Sequence, residues 1–475
     1  MTLRDLMGNG APEVEITSLA YRSSSVAPGA LFFCVRGFTS DGHDFAADAV
    51  ERGAAALVCE RPLGLGVPEV IVEDARAAMP GVAARFYGDP TRELRVVGVT
   101  GTNGKTTTAF LIRALLEVSG VRTGLLGTVK SVVGGREEPV ERTTPEAIDL
   151  QATFRRMLDA GDRACAIEVS SHALELGRAE GIHFACRVFT NLTQDHLDFH
   201  ETMERYYLAK RRLFETDGGP SVVNLDDEYG RRLADEVDNV VTYAVDSDAD
   251  YRAREVRFDP AGSSFVCETP DGPLRIETRL PGLFNVQNAL AAIAATRQLG
   301  VDAEAIRRGL AEADRVPGRF EPVDEGQGFT LLVDYAHTPE ALENVLRAAR
   351  EITRGRLHVV FGAGGDRDTA KRPLMGRAAS DYADRVVVTS DNPRSEDPDA
   401  IVDEVLAGTS GDAEREVDRR RAIARAVETA EPGDVVVIAG KGHEQGQEFE
   451  GGRKEPFDDV TVAREALRAA LGVGA

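Results

Sequence analysis

The sequence predicts an α/β protein of three domains, and three observations predict it. The chain has 475 residues, enough for two to four domains at roughly 100–200 residues each. Short apolar runs alternate with stretches of helical spacing along nearly its whole length, the pattern of open, mainly parallel sheets. Breaks at Gly88-Asp-Pro90 and Val316-Pro-Gly-Arg-Phe320 divide it into expected domains 1–88, 89–318 and 319–475.

In the first domain Ala30 to Val35 and Ala54 to Cys59 are expected strands and Phe45 to Arg52 a helix. The acidic Glu73-Asp74 leads into a helix over Ala75 to Phe86. The second domain opens with the β-rich Leu94 to Thr100, and further strands are expected at Ala164 to Val169, Val188 to Leu192, Ser221 to Asn224 and Val240 to Ala244. Polar residues 246–280 suggest a strand-rich insertion, Asn285 to Gln298 an Ala-rich helix, and a second helix runs through Ala311. In the third domain Thr330 to Asp334, Leu357 to Phe361, Arg385 to Thr389 and Val435 to Ala439 are buried-type strands separated by helices. That is a second open α/β sheet. No solenoid period or low-complexity tract interrupts the pattern.

Composition narrows the function. Hydrophobic residues are 42% and charged residues 28% of the chain, which suits a soluble globular protein rather than a disordered or fibrous one. No apolar run approaches the ~20 residues that span a bilayer, and Met1-Thr-Leu-Arg-Asp-Leu6 lacks the layout of a signal peptide. No membrane association is expected. Five scattered cysteines without C-x-x-C spacing point to a reducing cytoplasm rather than a disulfide framework or structural zinc. With 56 Lys+Arg against 79 Asp+Glu, the net charge of −23 disfavours a nucleic-acid partner. Anionic ligands would require positive charge concentrated locally.

The sharpest motif is Thr100-Gly-Thr-Asn-Gly-Lys-Thr-Thr107, set between a β-run and a helical stretch to Val118. A Gly-rich turn feeding a helix N-terminus lets backbone N–H groups wrap phosphate oxygens, while Lys105 neutralises charge and the Thr106 hydroxyl can hold Mg²⁺. The ordinary P-loop spacing would place its first glycine at Val99, so this is a shorter G-x-x-G-K-T form. Glu168, in Ala166-Ile-Glu-Val-Ser-Ser-His172, ends an expected strand. It is either a hard oxygen ligand at the ligand-facing end of a sheet or a strand-edge carboxylate beside a capping Ser-Ser. Asp195, His196, Asp198 and His200 suggest metal or phosphate contacts, although the same spacing fits a loop and an N-capped helix. Lys210 lies among apolar neighbours in Tyr206 to Phe214, where an ammonium is expensive unless paired or chemically neutralised.

These segments, with Val223-Asn-Leu-Asp-Asp227, Val316 to Glu321 and Asp334-Tyr-Ala-His-Thr-Pro-Glu340, occur in an order that resembles the Mur ligases from about residue 20 to 459. Those are the ATP-dependent amide-forming enzymes of peptidoglycan precursor synthesis. The resemblance implies a small N-terminal UDP-binding α/β domain, a central P-loop ATPase-like domain and a Rossmann-like C-terminal domain that binds the amino acid. Arg142-Thr-Thr-Pro-Glu146, Gly364-Gly-Asp-Arg-Asp368, Ser390 to Pro398 and Gly440-Lys-Gly-His-Glu444 resemble the members that add the third amino acid to UDP-N-acetylmuramoyl-L-alanyl-D-glutamate. Within them Asp391-Asn-Pro-Arg394 marks a preference for meso-diaminopimelate, because a guanidinium fork grips its distal carboxylate and offers little to the ammonium of lysine.

Residue by residue, the resemblance implies that Gly101, Thr102, Asn103, Gly104, Lys105, Thr106 and Thr107 cradle ATP, with Lys105 on the transferred phosphoryl. Thr106 and Glu168 would bind one Mg²⁺, and His196 with a carbamoylated Lys210 would support a second. Asn288 would meet the adenine, and Arg319 and Asp334 the ribose or phosphates. Tyr21, Ser23, Phe38, Thr39, Ser40, Thr143, Thr144, Ser170 and Arg178 would contact the UDP-sugar peptide. Arg367, Asp391, Asn392, Pro393, Arg394, Gly440 and Glu444 would contact diaminopimelate, with Glu444 answering its distal amino group. A cytoplasmic monomer is expected.

Two positions depart from the family's pattern. Arg22-Ser23-Ser24 stands where Asp-Ser-Arg is usual, and Leu176 where a glutamine often precedes the arginine equivalent to Arg178. The rival readings are an L-lysine-adding member, a folylpolyglutamate-synthase-like ligase, and a nucleotide-binding regulator that hydrolyses ATP without forming an amide.

Overall fold

The structure is a computed structural model that describes residues 1–37, 40–216 and 218–472. It contains two compact units, each drawn from several stretches of sequence. The first comprises Met1–Thr100, Gly120–Val188 and Ala209–Ser221; the second comprises Gly101–Ser119, Phe189–Leu208 and residues from Val222 onward.

The first unit begins with a four-stranded sheet of Ser18–Ala20, Ala30–Phe33, Ala54–Cys59 and Glu69–Ile71 in that order, parallel throughout. Its strands alternate between two cores. Leu31, Phe33, Ala56 and Val58 pack with Met79 and Val82 of the helix Ala75–Phe86; Phe32, Leu57 and Cys59 pack with Ala46 and Ala49 on the opposite face. Asp74 starts the long helix by accepting from the backbone N–H groups of Arg76 and Ala77. In the same unit Arg95–Thr100, Ala164–Glu168 and Thr123–Leu126 form a parallel core, with Phe184–Phe189 beside Arg95–Thr100. The strand expected over Val188 to Leu192 is therefore earlier. After Phe189 the backbone leaves the sheet because polar Thr190 and Asn191 bond to the nucleotide-type loop instead. An antiparallel hairpin of Ser131–Val133 and Arg136–Glu138, unread in the sequence, turns through Gly134 and Gly135, both at positive φ.

In the second unit the helix Lys105–Val118 packs on Leu283–Gln298 and Ala303–Glu312. The Ala-rich face of Leu283–Gln298 allows the close approach. The expected insertion is present as antiparallel strands Tyr251–Asp259, Gly262–Glu268 and Leu274–Thr278. The C-terminal part is a six-stranded sheet in the order Glu321–Val323, Thr330–Asp334, Val435–Ala439, Leu357–Phe361, Arg385–Val388 and Glu414–Arg415. Only the edge strand Glu321–Val323 runs antiparallel. Helices cover both faces, so Leu332, Val359 and Val437 are buried on one side and Leu331, Val360 and Val436 on the other. That is why these strands read as unbroken apolar runs.

Candidate functional site

The loop Gly101–Gly104 leads into the helix Lys105–Val118 through two glycines at positive φ. A Cβ on Gly101 would overlap the Thr190 hydroxyl oxygen, and one on Gly104 the Asn288 amide oxygen. Residues 190–193 clasp the loop. Thr102 N donates to Asn191 O (2.9 Å), Asn103 N to Asn191 Oδ1 (2.9 Å), and Thr190 Oγ1 to Asn103 O (2.6 Å). Lys105 Nζ donates to the carbonyls of Gly101 (2.9 Å) and Thr102 (2.7 Å), which fixes the ammonium at the positive end of the helix dipole. Such a helix start is built for an anion. Thr106 and Thr107 are buried just behind it.

Arg319 approaches the same helix, its Nη2 donating to Thr106 Oγ1 (3.3 Å), and stacks 4.3 Å from the Tyr335 ring centroid. Asp334 stands behind it. Its carboxylate accepts from Phe320 N and Ala336 N (2.7 Å each), and burial raises its pKa to about 6 against the pull of Arg319. Asn288 is bonded to Thr108 (3.3 Å) and Asn285 (3.2 Å); it braces Gly104 from within the packed helices.

Glu168 ends its strand fully buried. Thr128 donates to both carboxylate oxygens, from N (2.8 Å) and Oγ1 (3.0 Å). Thr128 escaped the sequence reading, though it follows Gly127, where a Cβ would overlap Glu168 Oε1. Thr144 Oγ1 donates to the Glu168 carbonyl (2.9 Å), and Ser170 caps the helix Ser171–Glu175. Lys210 is 1% exposed, in keeping with its apolar setting in the sequence.

Of the acidic and histidine group, His196 sits at φ +54° ahead of the short helix Leu197–His200, Asp198 is exposed, and His200 stacks on Tyr206. Asp195 is buried beside His196 (3.4 Å), Lys371 (3.6 Å) and His337 (3.9 Å). Burial would raise its pKa, but His196, Lys371 and His337 hold it well below the usual carboxylate range. Burial and the Lys371 charge bring His337 down to about 4. Among the described residues no three His, Cys, Asp or Glu side chains could together hold a metal ion. The hard hydroxyl oxygen of Thr106 at a phosphate-type loop suits Mg²⁺, which keeps waters and takes substrate phosphates as ligands.

In the first unit Tyr21 Oη donates to Asp149 (2.7 Å), and burial raises the pKa of both groups. Ser23 lies in a 3₁₀ turn, Ser23–Ser25. Phe38 and Thr39 lie outside the described residues, and the Ser40 carbonyl accepts from Gly37 N (2.9 Å). Thr143 meets Thr128 (3.1 Å). Arg178 donates to the Thr144 carbonyl (3.3 Å) and pairs with Glu146 (2.9 Å). Arg76 (3.1 Å) and Arg142 (2.9 Å) pair with the same buried Glu146. Three guanidiniums thus share one carboxylate, a hub that the local Arg142–Glu146 spacing only half reveals.

The remaining set lies at the ends of the C-terminal strands. Asp391 and Asn392 are buried. Asn392 Nδ2 donates to Glu444 Oε2 (2.8 Å), and its Oδ1 accepts from Glu448 N (2.9 Å) and Lys441 Nζ (2.8 Å). Pro393 O accepts from Glu396 N (3.1 Å). Arg394, at φ +52°, donates from Nε to Glu448 Oε2 (3.0 Å) and from Nη1 to Gly365 O (2.7 Å). A Cβ on Gly440 would overlap Asp391 Oδ2. Arg367 is exposed, touching the Asp366 carbonyl (3.1 Å).

A phosphate-type loop at a helix start and a mixed-charge cluster at the C-terminal strand ends are what an ATP-using, two-substrate ligase needs, and comparison with known proteins supplies the family. Residues 15–87 match the Mur ligase family catalytic domain, 99–296 the Mur ligase middle domain and 318–442 the Mur ligase glutamate ligase domain. The chain belongs to the Mur ligase family, ATP-dependent enzymes that form peptide bonds. It is 49% identical over 468 residues to the UDP-N-acetylmuramoyl-L-alanyl-D-glutamate–2,6-diaminopimelate ligase of Geobacillus kaustophilus, covering 96% of this chain and 95% of that one. It is 48% identical over 489 residues to the enzyme of the same name from Streptomyces coelicolor, covering 99% and 96%. A solved structure of a UDP-N-acetylmuramoyl-L-alanyl-D-glutamate–2,6-diaminopimelate ligase superposes with a TM-score of 0.71 at 34% identity, over 99% of each chain.

Proposed function

We propose that this chain joins meso-2,6-diaminopimelate to the D-glutamate carboxylate of UDP-N-acetylmuramoyl-L-alanyl-D-glutamate, using ATP, in peptidoglycan precursor synthesis. The observation that carries the choice of amino acid is the hydrogen-bonded run Glu444–Asn392–Glu448–Arg394. It sets a carboxylate and a guanidinium in one hydrogen-bonded cluster, as a distal centre bearing both an ammonium and a carboxylate requires. An ε-ammonium alone, as in lysine, would bring Arg394 no carboxylate beyond the Glu448 it already pairs with.

A carboxylate is a poor electrophile. Its oxygen takes the γ-phosphoryl of ATP, ADP leaves, the amine attacks the acyl carbon, and phosphate departs as the amine loses a proton. The chain's work is positioning and charge neutralisation. Gly101 to Thr107 hold the phosphates, Lys105 meets the charge of the transferred phosphoryl, Asn288 meets the adenine, and Arg319 and Asp334 reach the ribose or phosphates. Tyr21, Ser23, Phe38, Thr39, Ser40, Thr143, Thr144, Ser170 and Arg178 hold the nucleotide-sugar peptide; Arg367, Asp391 to Arg394, Gly440 and Glu444 hold the incoming amino acid. Thr106, Glu168, His196 and a carbamoylated Lys210 would hold Mg²⁺, which would supply neutralisation of the phosphate charge. Carbamoylation of the buried Lys210 turns a cation into an oxygen donor. Domains 1–88, 89–318 and 319–475 would serve the nucleotide sugar, ATP and the amino acid in turn, in a cytoplasmic monomer. No helix among the described residues is long and apolar enough to cross a membrane.

The test is substrate dependence of ADP release. Release that needs both the UDP-linked dipeptide and diaminopimelate is the expected result. Equal turnover without either would favour the ATP-hydrolysing regulator and end the ligase reading.

A further inference from the structure

We infer that Lys441 is a positioning residue for the incoming amino acid, acting through Asn392 rather than by touching the ligand; the inference rests on the diaminopimelate reading. Lys441 is fully buried, at 0% exposure. A lysine normally keeps its ammonium in water by extending its stem, and this one cannot. Its turn is forced inward by flanking glycines at positive φ. A Cβ on Gly440 would overlap Asp391 Oδ2, and one on Gly442 would meet the Tyr335 Cβ at 2.8 Å.

Burial of a charge is tolerated only where acceptors surround it. Here the ammonium lies 2.8 Å from Asn392 Oδ1, 3.1 Å from Glu444 Oε2 and 3.9 Å from Asp391 Oδ1. An amide side chain can sit in either of two orientations, and its neighbours decide between them. Lys441 Nζ and the Glu448 backbone N–H are both donors and both face one end of Asn392. That end must be the oxygen, because the reversed amide would set NH₂ against an ammonium. The Asn392 NH₂ is thereby turned onto Glu444 Oε2.

Both ends of the cluster depend on this one choice. On one side Glu444 Oε2 is held by Asn392 and Lys441 together. On the other the Asn392 oxygen anchors the strand Gly446–Glu448, from which the Glu448 carboxylate meets Arg394. A merely structural ion pair would need a single carboxylate. This ammonium instead orders the two groups assigned to the substrate's ammonium and carboxylate.

The experiment measures KM for diaminopimelate and for ATP, kcat and the melting temperature of Lys441→Met, Asn392→Ala and the double variant. The positioning role predicts a rise in the diaminopimelate KM of roughly tenfold or more in each single variant, from the loss of a buried hydrogen-bond partner, with the ATP KM unchanged. It further predicts that the double variant is no worse than the poorer single one, since both break the same relay. Additive effects, or parallel losses in the ATP KM and melting temperature, would overturn the role. Should Lys441→Met be insoluble, Asn392→Ala alone decides: a diaminopimelate KM within about twofold of the parent's overturns the relay. A parent protein that releases ADP without regard to diaminopimelate refutes the functional reading itself, whereas a diaminopimelate-dependent parent with unaffected variants refutes only the relay.

Discussion

Arg394 and Glu448 are joined twice: the arginine Nε donates to the Glu448 carboxylate at 3.0 Å, and its backbone N–H donates to the Glu448 carbonyl at 3.1 Å. The second bond holds Arg394 in the left-handed region, at φ +52°, where a bulky residue stays only if its surroundings insist. The guanidinium is thus aimed before any ligand arrives.

If that guanidinium grips the distal carboxylate, Arg394→Ala lowers kcat/KM for meso-diaminopimelate by roughly a hundredfold and leaves the weak use of L-lysine nearly unchanged. Steady-state kinetics with both amino acids checks this. Efficient lysine addition by the parent would defeat the assignment.

Gly101 has no room for a side chain against Thr190, so Gly101→Ala must displace the loop. A shift of an ångström in a phosphate-positioning loop costs on the order of a hundredfold. The loss should fall on kcat/KM for ATP, with diaminopimelate binding measured by calorimetry intact.

For Lys210, intact-mass measurement of the native protein should reveal a carbamoyl adduct lost on acidification. Lys210→Ala should lose at least ~100-fold in turnover, and bicarbonate should not restore it. Full activity in that variant, insensitive to bicarbonate, would remove the modified lysine from the mechanism.

Stability should fall at mildly acidic pH through His358 and Asp434, which are buried 3.0 Å apart. Burial lowers the His358 pKa below its ordinary 6.5, with nearby Arg385 and Arg356 in the same direction and Asp434 opposing. The unfolded chain then binds a proton near pH 6.5 that the folded chain refuses, so this contribution is complete above 6.5 and is lost as pH falls through the lowered value. Burial would raise the Asp434 pKa, but bonds from Arg356 N, Glu431 N and His358 lower it below 3.8, which adds a second loss at still lower pH. Melting temperatures should decline below pH 6.5, and His358→Gln should flatten the first part of that decline.

The nucleotide-type loop was legible because its chemistry is local: glycines, lysine and helix start lie within a few residues. Several strands were legible with their exact limits, Ala54–Cys59 and Val435–Ala439 among them, because cores on both faces leave only apolar residues. Other relationships were hidden by separation along the chain. Lys441 meets Asn392 across 49 residues, Arg76 meets Glu146 across 70, and Asn103 meets Asn191 across 88. No spacing rule announces such pairs. The strand ending at Phe189 was misplaced for a related reason, since only the fold shows that Thr190 is spent on Asn103.

The Glu146 hub bears on how anionic substrates reach a chain whose net charge is −23. One carboxylate among Arg76, Arg142 and Arg178 leaves a local surplus of positive charge, felt only within about a Debye length of ~10 Å at ordinary salt. Farther out the protein repels the nucleotide sugar. Encounter is therefore slowed by the distant field and rewarded at short range, and added salt, which screens the first more than the second, quickens arrival rather than hindering it.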